Sequence, residues 1–224
     1  MLARLRPRRG RGAGHERGAV AVEAALITPI LCLLIFGMIE FAFAIRDYVA
    51  VTSSVRTGAR IASTGAAAGP GTCDNIPDAP TCTPAGSPAL AQMAADAIQK
   101  AGSAMPPDSI EYILVYQANS QGFPGTETNR TVPATCAGVN NCVRYTWRDS
   151  LDKFRYADGS WNSRTISACF PGSSTKPLQS VGVAMVAEHE FITGFFGSTL
   201  TLTDRVSMNF EPLPTATCGA NEHS

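Results

Sequence analysis

The chain has one long apolar run, and it lies close to the N-terminus. Residues 24–45 read AALITPILCLLIFGMIEFAFAI, and Glu40 is the one charged residue among them. At about 1.5 Å of rise per residue, a helix of this length covers about 33 Å, enough for the roughly 30 Å hydrocarbon core of a bilayer. We therefore predict a single transmembrane helix near the N-terminus.

The helical pattern continues beyond the apolar run. Apolar or small side chains recur at helical spacing, at Tyr48, Val51, Val55, Ala59 and Ala62. Gly65 follows, and a Gly-Pro-Gly triplet at residues 69–71 is typical of a break. The sequence thus predicts one helix from about residue 23 to residue 64. Its outer half is amphipathic and needs a partner surface.

The rest of the chain alternates short apolar segments with turn-forming residues. We predict a short helix over residues 90–101 and strands over residues 111–116, 143–147, 181–190 and 200–210. Asp158-Gly159, flanked by residues 153–156 and Trp161, indicates a hairpin turn. Helices followed by strands predict an α+β fold, in which an antiparallel sheet packs against the outer half of the long helix. The predicted divisions are a basic leader (1–18), a transmembrane and extended helix (19–64), a Gly/Pro-rich linker (65–88) and an extracytoplasmic α+β domain (89–224).

Charge is unevenly distributed, although the chain holds 18 basic and 18 acidic residues. Six arginines and one acid lie within the first 17 residues, which leaves a net charge of −5 from Gly18 onward. Arginines ahead of a spanning helix hold the N-terminus in the cytoplasm. A mildly acidic body lacks the basic face that nucleic acid requires, so we expect no nucleic-acid partner.

Six of the seven cysteines follow the apolar run, and Cys32 lies within it. An even number of cysteines in a loop-rich region predicts disulfides and an oxidising compartment. Their spacing does not match the short intervals of a zinc site, so we expect no metal. Six cysteines allow 15 pairings, and we take nearest neighbours as the working hypothesis: Cys73–Cys82, Cys136–Cys142 and Cys169–Cys218.

No arrangement typical of catalysis is visible in the sequence. A nucleophile elbow and a lysine-bearing phosphate loop are both missing, so we expect no enzyme, no catalytic residues and no cofactor. Glu188-His189-Glu190 resembles a metal-binding fragment, yet alternation along a strand sends the histidine and the two acids to opposite faces. We interpret this tripeptide as an exposed strand end.

The most informative stretch joins the leader to the apolar run: Arg17, then GAVAVE, with Gly18, Ala19 and Glu23 as its key residues. A carboxylate at the mouth of a spanning helix is unfavourable, and a position in the first helical turn would ease it through the helix dipole. Cleavage between Gly18 and Ala19 would place a new α-amine about one turn from Glu23. The alternative is an interfacial acid without a function.

Glu40 is the second acid in the run, 17 residues beyond Glu23 and about 25 Å further along a helix. That distance places it near the opposite headgroups. We expect it to be solvated or paired with an arginine, with a contact to another subunit as the alternative.

Residues 18–60 resemble the N-terminal segment of TadE-like proteins, the minor pseudopilins of tight-adherence (Flp) pilus systems. The matching features are Gly18, Glu23, Pro29, the GMIEF element at residues 37–41 and Ala59-Arg60. Near the other end, segments around residues 158–169, 181–196 and 208–212 look like actinobacterial members of the family. Residues 65–150 resemble nothing that we can name.

The resemblance implies a pilin-like fold and leader removal by a prepilin peptidase. The implied role is assembly of a type IVb-like pilus, with other pilins, the assembly machinery and membrane lipid as partners. Two alternatives use the same residues. An uncleaved anchored ectodomain would have a binding role. A secreted protein would be cut after the A-x-A sequence at residues 42–44 and would begin at Ile45.

Overall fold

A computed structural model describes residues 13–71, 86–101, 105–170, 178–194, 197–214 and 218. Its longest element is a single 52-residue helix, α1 (Ala13–Thr64). The helix ends where the sequence predicts, but it begins ten residues ahead of Glu23. Residues 13–18 of the predicted leader are therefore helical, and residues 1–12 lie outside the described part of the chain.

A short helix and five strands follow α1. They are α2 (Ala89–Lys100), β1 (Ile110–Ala118), β2 (Cys142–Arg148), β3 (Lys153–Ser160), β4 (Ser180–Glu190) and β5 (Thr199–Asn209). The strands form one sheet in the order β3-β2-β1-β4-β5, and every neighbouring pair is antiparallel. This architecture confirms the prediction of an α+β fold with a long N-terminal helix and an antiparallel sheet.

The main core lies between the sheet and the two helices. Val51, Val55, Ala59 and Ala62 are completely buried and point at α2 and the sheet, whereas Tyr48 is half exposed and falls off the predicted stripe. Small residues let α1 and α2 approach closely: a Cβ on Gly65 would lie 2.7 Å from the Cβ of Leu90. The sheet thus finds its cover in the outer half of α1, as the pattern predicts.

The opposite face of the sheet is covered by the connection between β1 and β2. Tyr112, Leu114 and Tyr116 pack there with the Cys136–Cys142 disulfide. Tyr116 lies across β4, where a Cβ on Gly182 would come within 2.3 Å of its ring. Burial raises the pKa of Tyr116 to about 12, so that its neutral hydroxyl donates to the Gly122 carbonyl at 3.0 Å.

The predicted hairpin turn at Asp158-Gly159 is wrong, because both residues belong to β3. The chain reverses instead through a short 3-10 turn, Asp149–Leu151, with Asp152 in the left-handed region. Gly159 has φ +95°, and a Cβ there would lie 2.3 Å from the Cys142 carbonyl oxygen. Glycine is required here because any side chain would clash with β2 and with the Cys136–Cys142 disulfide.

Two disulfides lie within the described residues, Cys136–Cys142 and Cys169–Cys218, with Cα–Cα distances of 5.4 and 5.8 Å. They are the nearest-neighbour pairs of our hypothesis. The third pair, Cys73–Cys82, lies outside the described residues. The second disulfide ties the C-terminal tail to the segment before β4, and the tail also donates from Glu211 N to Ser63 O at 3.0 Å.

Two segments of the predicted linker region, one after α1 and one before α2, lie side by side. Gly71 N donates to Ser87 O at 2.7 Å, and Ala89 N donates to Gly69 O at 3.0 Å. These hydrogen bonds join the exit of α1 to the entrance of α2, and residues 72–85 lie outside the described part.

Candidate functional site

The first part of the candidate site is the apolar half of α1, which we define as residues 18–45. Its apolar window is the one stretch of described helix long and hydrophobic enough to cross a membrane, and none of that window is buried in the protein. Leu26, Ile30 and Met38 are each more than 60% exposed. A surface this apolar requires lipid or other apolar helices around it.

The residues predicted for leader cleavage and assembly all lie on this bare part of the helix. Gly18, Ala19 and Glu23 are exposed, and a Cβ added to Gly18 would meet no atom within 4 Å. Because α1 already begins at Ala13, Glu23 is not in the first turn of the uncleaved helix. The favourable helix dipole that we expected for Glu23 would therefore exist only if the chain began at Ala19.

Glu40 lies at the far end of the apolar half, and the folded domain of its own chain buries it. It is 1% exposed, and it accepts hydrogen bonds from the backbone N–H groups of Ile192 (3.2 Å) and Thr193. The expectation of a solvated or arginine-paired acid is thus wrong. The connection between β4 and β5 folds over the helix and donates to the carboxylate from two backbone N–H groups and from the Thr193 side chain, an arrangement that suits a buried charge.

Asp47 lies seven residues further along the same face of α1. One oxygen receives the Arg46 guanidinium at 3.0 Å, and the other lies 2.7 Å from Nδ1 of His189. His189 is 5% exposed, and the edge of its ring meets the Phe191 ring at 5.2 Å between centroids. The prediction of an exposed strand end is therefore wrong for His189, although Glu190 is exposed.

Together these contacts form a boundary clasp, which we define as Glu40 and Asp47 on α1 with His189, Ile192 and Thr193 from the end of β4 and the loop after it. The clasp fastens the sheet to α1 where the apolar run ends. Sequence reasoning missed it because its two sides are about 150 residues apart. The available signal was the seven-residue spacing of the two acids, which places them on one face of a helix.

A cleft with a volume of about 710 Å³ lies at the end of the sheet away from the boundary clasp, among the loops at residues 117–141. Its main polar side chains hold the loop itself together. Asn119 and Asn129 each donate to two backbone carbonyls and accept from backbone N–H groups. The part of the chain that the structure describes contains no cluster of three or more His, Cys, Asp or Glu side chains suited to a metal.

The fold and the bare apolar helix define a class of protein: a small α+β domain that follows an N-terminal helix long and apolar enough to span a membrane. Residues 18–60 match a family model described as TadE-like protein, so the chain has a TadE-like N-terminal segment, and the predicted resemblance is confirmed over those residues. The match covers Gly18, Glu23, Glu40, Asp47 and most of the buried stripe of α1. No curated protein and no solved structure gives a significant match to the chain.

Proposed function

We propose that the protein is a pilin-like structural subunit of a tight-adherence (type IVb-like) pilus. Its leader would be removed between Gly18 and Ala19 by a prepilin peptidase, and the folded domain would face away from the cytoplasm. The observation that carries the proposal is the TadE-like match over residues 18–60, on a helix whose hydrophobic window is not buried by its own chain.

The physical argument centres on Glu23. The carboxylate is exposed on the bare helix at the mouth of the apolar run, where lipid would surround it without a partner. A chain that begins at Ala19 has a positive α-amine about one helical turn, or roughly 6 Å, from this carboxylate. The amine of the same or a neighbouring subunit would then neutralise Glu23 when helices pack together, and the helix dipole would favour it.

N-terminal sequencing of the membrane-bound protein tests the cleavage step. We expect the mature chain to begin with AVAVEAALI, starting at Ala19. A Gly18→Leu variant should keep the leader in cells that contain the peptidase. Wild-type protein that retains residues 1–18 in such cells would contradict the proposal and favour an uncleaved anchored ectodomain with a binding role.

A second measurement addresses assembly. Glu23→Ala should leave the amount of membrane-bound protein unchanged but should reduce pilus formation, because it removes the partner of the new amine. Glu188→Ala is a matched control, since it removes a carboxylate from the folded domain, where Glu188 is partly exposed. Equal pilus formation by wild type and Glu23→Ala would argue against the assembly role.

A further inference from the structure

We propose that the first part of the loop after β4, residues 191–194, is a second membrane contact of this protein. In this reading Ile192 inserts into the lipid leaflet on the side of the folded domain, beside α1. The proposal goes beyond the pilus function and rests only on α1 being a membrane anchor. It holds for either orientation of the chain in the membrane.

The position of the loop along α1 is fixed by Glu40. The backbone N–H groups of Ile192 and Thr193 donate to this carboxylate, so the loop lies level with residue 40 of the helix. The apolar run continues five residues further, to Ile45, which is about 7.5 Å at the rise of a helix. Ile192 is therefore level with apolar residues of the predicted transmembrane span.

Side chains of the loop and of the adjoining turn of α1 suit an interface with lipid. Ile192 is 74% exposed, and residues 191–198 contain no charge. Phe43 on α1 lines the same cleft as Ile192 and is also partly exposed. Arg46 follows at 54% side-chain exposure, with its guanidinium 5.4 Å from the centre of the Phe43 ring. An arginine just beyond an aromatic ring is typical of the headgroup level.

The backbone of the loop is also prepared for a poorly hydrated environment. Irregular backbone is tolerated at membrane depth only when its polar groups are satisfied within the protein. Four N–H groups of the described loop residues donate internally, those of Phe191, Ile192, Thr193 and Gly197. The loop thereby hides the Glu40 carboxylate from lipid and presents Ile192 in its place.

Lipid is the occupant that these observations favour, because the exposed Ile192 is continuous with the exposed apolar surface of α1. Ile39 and Phe41, which flank Glu40, are 44% and 62% exposed. A lipid bilayer would cover the exposed side chains of α1 and Ile192 together. A partner protein would instead need a surface complementary to both α1 and the loop.

The test measures the depth of a fluorescent probe in proteoliposomes made with the full chain. Ile192→Cys is introduced in a Cys32→Ser background and labelled with an environment-sensitive thiol probe. Gln121→Cys, an exposed site at the opposite end of the sheet, is the matched control. Wild-type Cys32, exposed within the apolar run, is the reference for a lipid-embedded site, and Cys32→Ser alone gives the background.

We expect the probe at position 192 to be quenched more by doxyl-labelled phospholipid than by aqueous iodide, with blue-shifted emission. The probe at position 121 should behave in the opposite way. Equal iodide quenching at the two positions would overturn the proposal, provided that urea unfolding shows the variants to be folded. Protection from iodide that grows with protein density, without lipid quenching, would identify another copy as the partner and would also overturn it.

Discussion

The two halves of α1 belong to one continuous helix but meet different surroundings. In the apolar half, side chains such as Leu34 are 56% exposed and no part of the hydrophobic window is buried by the protein. In the domain half, residues 46–64, Val51, Val55 and Ala59 are completely buried against α2 and the sheet. Helix continuity thus reveals nothing about burial; the pattern of side chains decides it.

The transition between the halves takes place at the boundary clasp. Glu40 is the first described side chain of α1 that the protein buries, and Asp47 is the next. Both are carboxylates, and both find partners at the end of β4 and in the loop after it. The change of surroundings therefore coincides with polar contacts that fix the folded domain at one height on the helix.

The largest predicted effect comes from placing a charge in each half. Val55→Asp buries an unpaired carboxylate in the core and should lower the free energy of unfolding of the folded domain by more than about 4 kcal/mol. Leu34→Asp should leave that quantity unchanged but should oppose membrane insertion by about 2.5–3.5 kcal/mol. Urea unfolding in detergent, followed by fluorescence of the buried Trp161, and membrane fractionation measure the two effects. Equal unfolding curves for the two variants would contradict the division of α1 into an exposed apolar half and a domain half that packs in the core.

A smaller effect is expected when methyl groups are deleted. Val55→Ala leaves a cavity between α1, α2 and the sheet and should cost about 2 kcal/mol of folding stability. Val49→Ala is the matched control on the same helix, because Val49 is 58% exposed, and it should change stability by less than about 0.5 kcal/mol. The midpoint of urea unfolding distinguishes the two. A similar loss of folding stability in both variants would mean that the exposure of a side chain does not decide its contribution to stability on this helix.

The smallest effect concerns the clasp itself. Glu40→Gln removes the charge that strengthens the hydrogen bonds from Ile192 and Thr193 and should weaken closure of the loop by about 1.5 kcal/mol. Hydrogen exchange at the amides of Ile192 and Thr193 should then be faster by roughly tenfold, while Trp161 reports unchanged unfolding of the domain. Glu188→Gln, on the same hairpin, should not alter these amides. Unchanged exchange in Glu40→Gln would show that the carboxylate does not hold the loop.

Local pattern sufficed for much of this fold. Apolar periodicity identified the end of α1 at Thr64, and it located α2 and the central parts of β1, β2, β4 and β5 to within a few residues. These elements were predictable because each carries its own signal within a dozen residues. The cover of the sheet followed from the same reasoning, since the domain half of α1 has an apolar stripe that needs a partner.

The errors arose where a distant contact decides the role of a residue. Gly159 reads as a turn signal, but it is required because the Cys142 carbonyl lies against it. His189 reads as an exposed strand end, but Asp47, which is 142 positions away, pairs with it in the interior. Glu40 is the third case, since its donors belong to Ile192 and Thr193, about 150 residues away in the sequence.

The hydrogen bonds between Gly71 and Ser87, and between Ala89 and Gly69, carry a last consequence. They hold the chain that leaves α1 against the chain that enters α2, so the relative position of the two helices is fixed by residues 69–71 and 87–89. Because the entropy of closing a loop grows only slowly with its length, the number of residues between Gly71 and Ser87 could change at a small cost in folding stability. The packing of α1 on α2 would be the same in each case.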